Sequence, residues 1–248
     1  MMNAIRASFY KMFHDKSFFL SLVLTFLWGV FVGLLRFMTM DTRGFSNVSE
    51  MAPFWDSYLG GHPIVLPFIV CIVLFFTSEY KDHSWKLLIA KGVSKVSYYV
   101  SRLLSAFALA FIISGVAILS GITCDLTMFG GKLSAGYLWN VLTFAVGQGY
   151  ANCVIATLVL SLSMIIKIGE IAAFLSSCML VFGYYFLHKL EVAMNWGEAL
   201  TSVWAFDLSA YMLFGEPMNW GWVTIVFLAY LAVFSAITLF VLSRRDVE

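Results

Sequence analysis

The residue types that perform covalent or metal chemistry are present in this chain but are not gathered. Its four histidines, His14, His62, His83 and His188, are scattered, and no His-Glu-x-x-His pair places two imidazoles on one helical turn beside a general base. Its four cysteines, Cys71, Cys124, Cys153 and Cys178, lack the spacing of a metal site or of a disulfide framework, and read as small apolar residues. Ser114-Gly115 has no histidine nearby in sequence to activate the hydroxyl, so Ser114 reads as a helix-packing serine. The nearest fragment of a Gly-x-x-x-x-Gly-Lys-Ser/Thr phosphate cradle is Gly131-Lys132, which lacks the first glycine and the hydroxyl. No catalytic residue, no metal site and no nucleic-acid partner are therefore expected. Gln148 and Asn152 are the polar pair that stands out. They lie one helical turn apart beside Gly147 and Gly149, and such amides serve either helix–helix contact in lipid or a polar path through it.

The elements that carry these residues follow from where charge is missing. Of 248 residues, 61% are hydrophobic and 12% charged, about half the charge that a water-soluble domain uses to cover its surface. Charge-free stretches predict membrane-spanning helices at about 17–36, 58–78, 99–123, 138–166, 171–188 and 221–243. Each reaches the roughly 17–25 residues that cross about 30 Å of hydrocarbon. Unbroken apolar runs favour helices over barrel strands, which alternate. The expectation is an all-α integral membrane fold, one transmembrane domain over 1–248 with six spans. The first span is longer than a signal-peptide core and ends at Arg36 rather than at a small-residue cleavage site, so it is expected to stay as a membrane helix.

Shorter features flank the spans. In 3–14, Ile5, Phe9, Met12 and Phe13 share one helical face and Arg6 and Lys11 lie off it, which predicts an interfacial helix; the alternative is a solvated tail. The stretch 79–98 predicts a short helix between two bends, capped by Ser84, ended by Gly92, with Ser94 capping the helix that follows. Between the last two spans, Trp196, Trp204, Trp220 and Trp222 predict one or two short helices lying in or dipping into the membrane–water boundary. With the N-terminus inside, eleven Lys and Arg fall on the inner segments and four on the outer ones. This bias puts both ends in the cytoplasm and the chain in the cytoplasmic membrane. Ion-driven transport usually leaves an ionisable group at the midplane. All six predicted spans lack one, so energy for any pumping must come from elsewhere.

The run Glu79-Tyr80-Lys81-Asp82-His83-Ser84-Trp85-Lys86-Leu87-Leu88-Ile89-Ala90-Lys91-Gly92-Val93-Ser94-Lys95 resembles the first cytoplasmic loop of ABC-2 type transporter permeases. The amphipathic start, the basic end and the long last outer loop are similar to that family as well. His83 stands where the family often has Gly, altering the bend, and Lys95 where it often has Arg, losing a bidentate fork.

The resemblance implies that Ser84–Lys91 is a coupling helix docking on a separate ABC ATPase subunit, in which ATP and Mg²⁺ would bind. Trp85 and Leu88 would be its apolar anchors. Lys86 and Lys91 would meet acidic groups or phospholipid, with Glu79, Lys81, Gly92 and Lys95 completing the coupling set. It further implies a permease, not an enzyme, that pairs with a second or related copy. Such a permease would export an amphipathic cargo, a lantibiotic or other antimicrobial peptide or a lipid. A stand-alone channel or secondary transporter, and a membrane scaffold without transport, are the competing readings.

Overall fold

The computed structural model describes residues 2–39, 68–76, 88–128, 135–166, 168–197, 200–205 and 219–244. Helices account for nearly all of them: α1 (Met2–His14), α2 (Lys16–Thr39), α3 (68–76), α4 (Lys95–Met128), α5 (Ala135–Ile166), α6 (Gly169–Met194) and α7 (Trp220–Arg244), with a 3-10 turn at Thr201–Val203. Five of them, α2 and α4 to α7, are long and apolar enough to cross a membrane. The expected span 58–78 is represented by α3, and its remainder lies outside the described residues. The chain is an all-helical, multi-pass membrane protein.

The helix ends are fixed by local chemistry. Between α1 and α2 the break is a single residue, Asp15, whose carboxylate accepts the Ser17 N–H at 2.9 Å. Asn219 caps α7 by accepting the Trp222 N–H at 3.2 Å, and α6 ends where Asn195 takes a left-handed conformation. Within the spans, hydroxyls turn back onto the preceding turn: Ser114 to Ala110 O, Thr157 to Cys153 O and Ser163 to Val159 O, each at 2.7–2.8 Å. These bonds spare the three hydroxyls an unpaired state in hydrocarbon, whereas the buried Ser176 hydroxyl of α6 has no partner.

α5 is the centre of the bundle. Every residue from Ala151 to Ser161 is buried, as an all-round apolar helix requires. α4 packs along it, and α6 and α7 cover its other sides. α2 lies on α4 through a stripe of small residues, Thr25, Gly29 and Gly33, that permits close backbone approach. Leu20, Leu24, Leu27 and Phe31 of α2 face outward. α4 is about 51 Å long at 1.5 Å per residue, more than a bilayer core needs. Its two buried charged residues, Arg102 and Asp125, stand about 34 Å apart along the axis, one toward each end of the helix.

Two details depart from the expected picture, on α1 and after α6. On α1 the buried residues are Ser8 and Met12, with Ile5 and Phe9 partly covered; Phe13, expected on that face, is half exposed. The face has turned because α1 packs on α4 through a hydrogen bond, not through apolar contact alone. α4 starts at Lys95, directly after Ser94, the residue expected to cap it. After α6 the chain folds back toward the membrane interior. Trp204 donates its indole N–H to Leu180 O at 2.9 Å, at a level about 16 Å below Glu191 on α6. Trp196, Trp220 and Trp222 remain exposed, so the four tryptophans divide between a boundary belt and one inserted side chain.

Candidate functional site

The loop singled out in the sequence reaches the described residues at Leu88. Residues 88–90 are helical and the chain then turns at Lys91-Gly92. Gly92 adopts φ +86°, its N–H donates to Ile89 O at 2.9 Å, and the Val93 N–H donates to Leu88 O at 3.2 Å. This pair of bonds around a left-handed glycine is a Schellman helix end, and Leu88, Ile89 and Val93 pack together against the core. Two residues on, the Ser94 hydroxyl accepts the Ser97 N–H at 3.1 Å and starts α4. A helix end and a helix start are thus joined rigidly through two residues.

Of the residues expected to form the coupling set, Glu79, Lys81, Ser84, Trp85 and Lys86 lie outside the described residues. Lys91 and Gly92 are exposed on the turn, and Leu88 is half buried. Lys95 is turned onto the bundle: its ammonium donates to Ser243 O at 3.3 Å, at the carbonyl end of α7, where the helix dipole favours a cation.

Next to this turn, the N-terminal end of α4 holds α1. The Arg102 guanidinium, buried, donates through Nη1 to Ser8 Oγ at 2.6 Å and lies 5.2 Å from the Tyr98 ring centre. Ser8 and Ser105 share a hydrogen bond of 2.7 Å. α1 and the start of α4 are thus joined by buried polar contacts.

The polar pair on α5 is buried. Asn152 donates through Nδ2 to Ser114 Oγ at 2.8 Å, joining α5 to α4. Beside it Gly149 lets the Phe111 ring rest on the α5 backbone: a Cβ there would sit 2.4 Å from the ring. At the other end of α4, the buried Tyr137 donates its hydroxyl to the Asp125 carboxylate. Glu191 clamps the returning chain, its carboxylate accepting the N–H groups of Leu200 and Thr201 and the Thr201 hydroxyl. Sequence reasoning missed Arg102–Ser8, Asp125–Tyr137 and Glu191–Thr201. The only signal was a charged residue just beyond each apolar run. Among the described residues no three His, Cys, Asp or Glu side chains come together in a metal-holding group.

Compared with known proteins, residues 4–188 match a family model described as an ABC-2 family transporter protein. No curated protein matches the chain. The matched residues run from α1 through most of α6, and so include the loop and the α1–α4 block.

Proposed function

The chain belongs to the ABC-2 family of transporter membrane proteins, and from that premise we propose that it is the permease subunit of an ATP-binding cassette exporter. An ABC ATPase is the partner that family membership implies. The finer reading is that this partner docks on Ser84–Lys91 and that both termini lie in the cytoplasm with it. Two copies, identical or related, pair in the membrane. Closure of the ATPases presses on the short loop helix and tilts α4 together with α1. An amphipathic cargo, with a lantibiotic or another small membrane-active peptide as our candidate, then passes outward between the halves or from the lipid. The chain supplies no nucleotide chemistry; ATP and Mg²⁺ bind in the partner.

The observation that carries this reading is the rigid junction at Leu88–Ser94, which lies inside the family match and continues into the longest helix of the bundle. An aromatic and basic sequence before such a junction, Ser84-Trp85-Lys86, suits a protein contact.

The test is co-purification with a phosphate-loop ATPase of the ABC class, sought first in the neighbouring reading frames, using Trp85→Ala and Lys86→Glu variants. Both are expected to lose binding and ATPase stimulation by about ten-fold or more, as truncation of an interface anchor does. Unchanged binding and stimulation in both variants would remove the docking assignment.

A further inference from the structure

Among the described residues, α6 and α7 each pack on α5 far more than on each other. The returning chain, 200–205, bridges them. On the α6 side, Glu191 takes the N–H groups of Leu200 and Thr201 and the Thr201 hydroxyl, and about 16 Å along the helix Trp204 donates to Leu180 O. On the α7 side, the Tyr230 hydroxyl accepts the Ala205 N–H at 3.1 Å, and the Trp222 indole reaches Ser202 O at 3.4 Å. Thr201 and Ala205 are buried, and Val203 and Trp204 pack on the core. Irregular backbone at membrane depth is tolerated only where protein covers it or where it lines a cavity. Here side chains from two helices supply the partners that a ladder would.

The ties are of a kind that can be broken without harm to the helices. Leu180 O lies inside α6, where the helical ladder already uses it. Gly183 offers bare backbone to the Trp204 ring, which a Cβ would meet at 2.5 Å. Glu191 stands in the last turn of α6, where the helix dipole disfavours a negative charge. Its place is explained by the strap and not by the helix. Once released, a carboxylate and an indole suit the membrane–water boundary, where the other tryptophans of this region lie. The strap also hangs from a tight reversal, with Asn195 at φ 53° and Gly197 at φ 67°, so it does not extend α6.

We propose that residues 200–205 form a detachable plug between α6 and α7, latched by Glu191 and pegged by Trp204, that leaves its seat as one unit. The plug and its latch do not depend on the transport reading; only the cargo that would use the opening does.

Unit release couples the two ends of the strap, and this is what the test reads. Ala205→Cys places a thiol at the buried end, far from the latch. The full-length protein in nanodiscs is treated with a small charged thiol reagent, and modification is followed by mass spectrometry on the peptide carrying residue 205, with buried Cys153 on α5 as the internal control. The reaction should be much slower than in the unfolded chain. Glu191→Gln should speed it about ten-fold or more, as weakening hydrogen bonds to a charged group does, and Tyr230→Phe about two- to ten-fold, as loss of a neutral one does. Cys153 should react as before in both. Amide exchange at Ala205 with the native alanine in place should quicken in parallel in Glu191→Gln. A thiol at 205 unaffected by Glu191→Gln, with exchange quickened at Leu200 and Thr201 only, would mean that the strap frays at one end and would overturn the plug. A thiol at 205 that is fast before any latch change would show that nothing is closed there. Acceleration shared equally by Cys153 would mean general unfolding, and either result would overturn the proposal as well.

Discussion

At the scale of single residues, the bundle is held by a few polar contacts where charge enters lipid. The Arg102–Ser8 bond ties α1 to α4. A charge-assisted hydrogen bond in such a place contributes about 1.5–3 kcal/mol, so Arg102→Met should speed hydrogen exchange of the α1 amides by about 10- to 100-fold while α5 exchanges as before. Exchange in α1 equal to wild type would show that apolar contacts at Met12 hold it alone. Glu191→Gln removes the charge that gathers the Leu200 and Thr201 amides; faster exchange or proteolysis confined to the 195–205 segment is expected, at a cost of about 1–3 kcal/mol. Residue-scale features were legible where they are local in sequence. Gly92 and Ser94 act on neighbours within six residues, and their capping roles follow from residue type. Arg102, Asp125 and Glu191 were visible only as charges beside apolar runs, because their partners lie on other helices or across a returning loop.

Among elements, what matters is how closely the helices approach. Gly149 lies against Phe111 with no room for a Cβ, so Gly149→Val should force α4 and α5 apart and lower stability by about 1–3 kcal/mol. The melting temperature in detergent reports it, and Gly136→Ala on the same helix, with open space around it, is the control expected to change little. Asn152→Ala should cost less, about 0.6–2 kcal/mol, as interhelical hydrogen bonds in membranes do. Gly183 performs a similar service for Trp204, whose ring a Cβ would meet at 2.5 Å. The positions of the long helices were legible because a run without charge has one physical outcome in a bilayer. The orientation of α1 was not: four apolar residues defined a face, yet the hydrogen bonds of Ser8 rotated it. Which of the four tryptophans turns inward was equally hidden, since the composition that marks the boundary marks all four alike.

Taken whole, the molecule is a membrane bundle of the ABC-2 transporter family with a hydrogen-bonded helix end and helix start joined at Leu88–Ser94. It brings no phosphate loop of its own. The expected spans carry no charge at their centres, and the buried charges that the structure reveals on α4 sit about 34 Å apart near its two ends. That arrangement suits a body tilted from outside by an ATPase better than one that relays ions through its core. The most direct test is transport in proteoliposomes containing this chain with and without its ATPase, using a fluorescently labelled lantibiotic as the probe. Uptake that requires ATP and the ATPase, and that stops when the partner's phosphate-loop lysine is replaced, is the predicted result. Accumulation of the probe by this chain alone, driven by a proton or sodium gradient, would contradict the account.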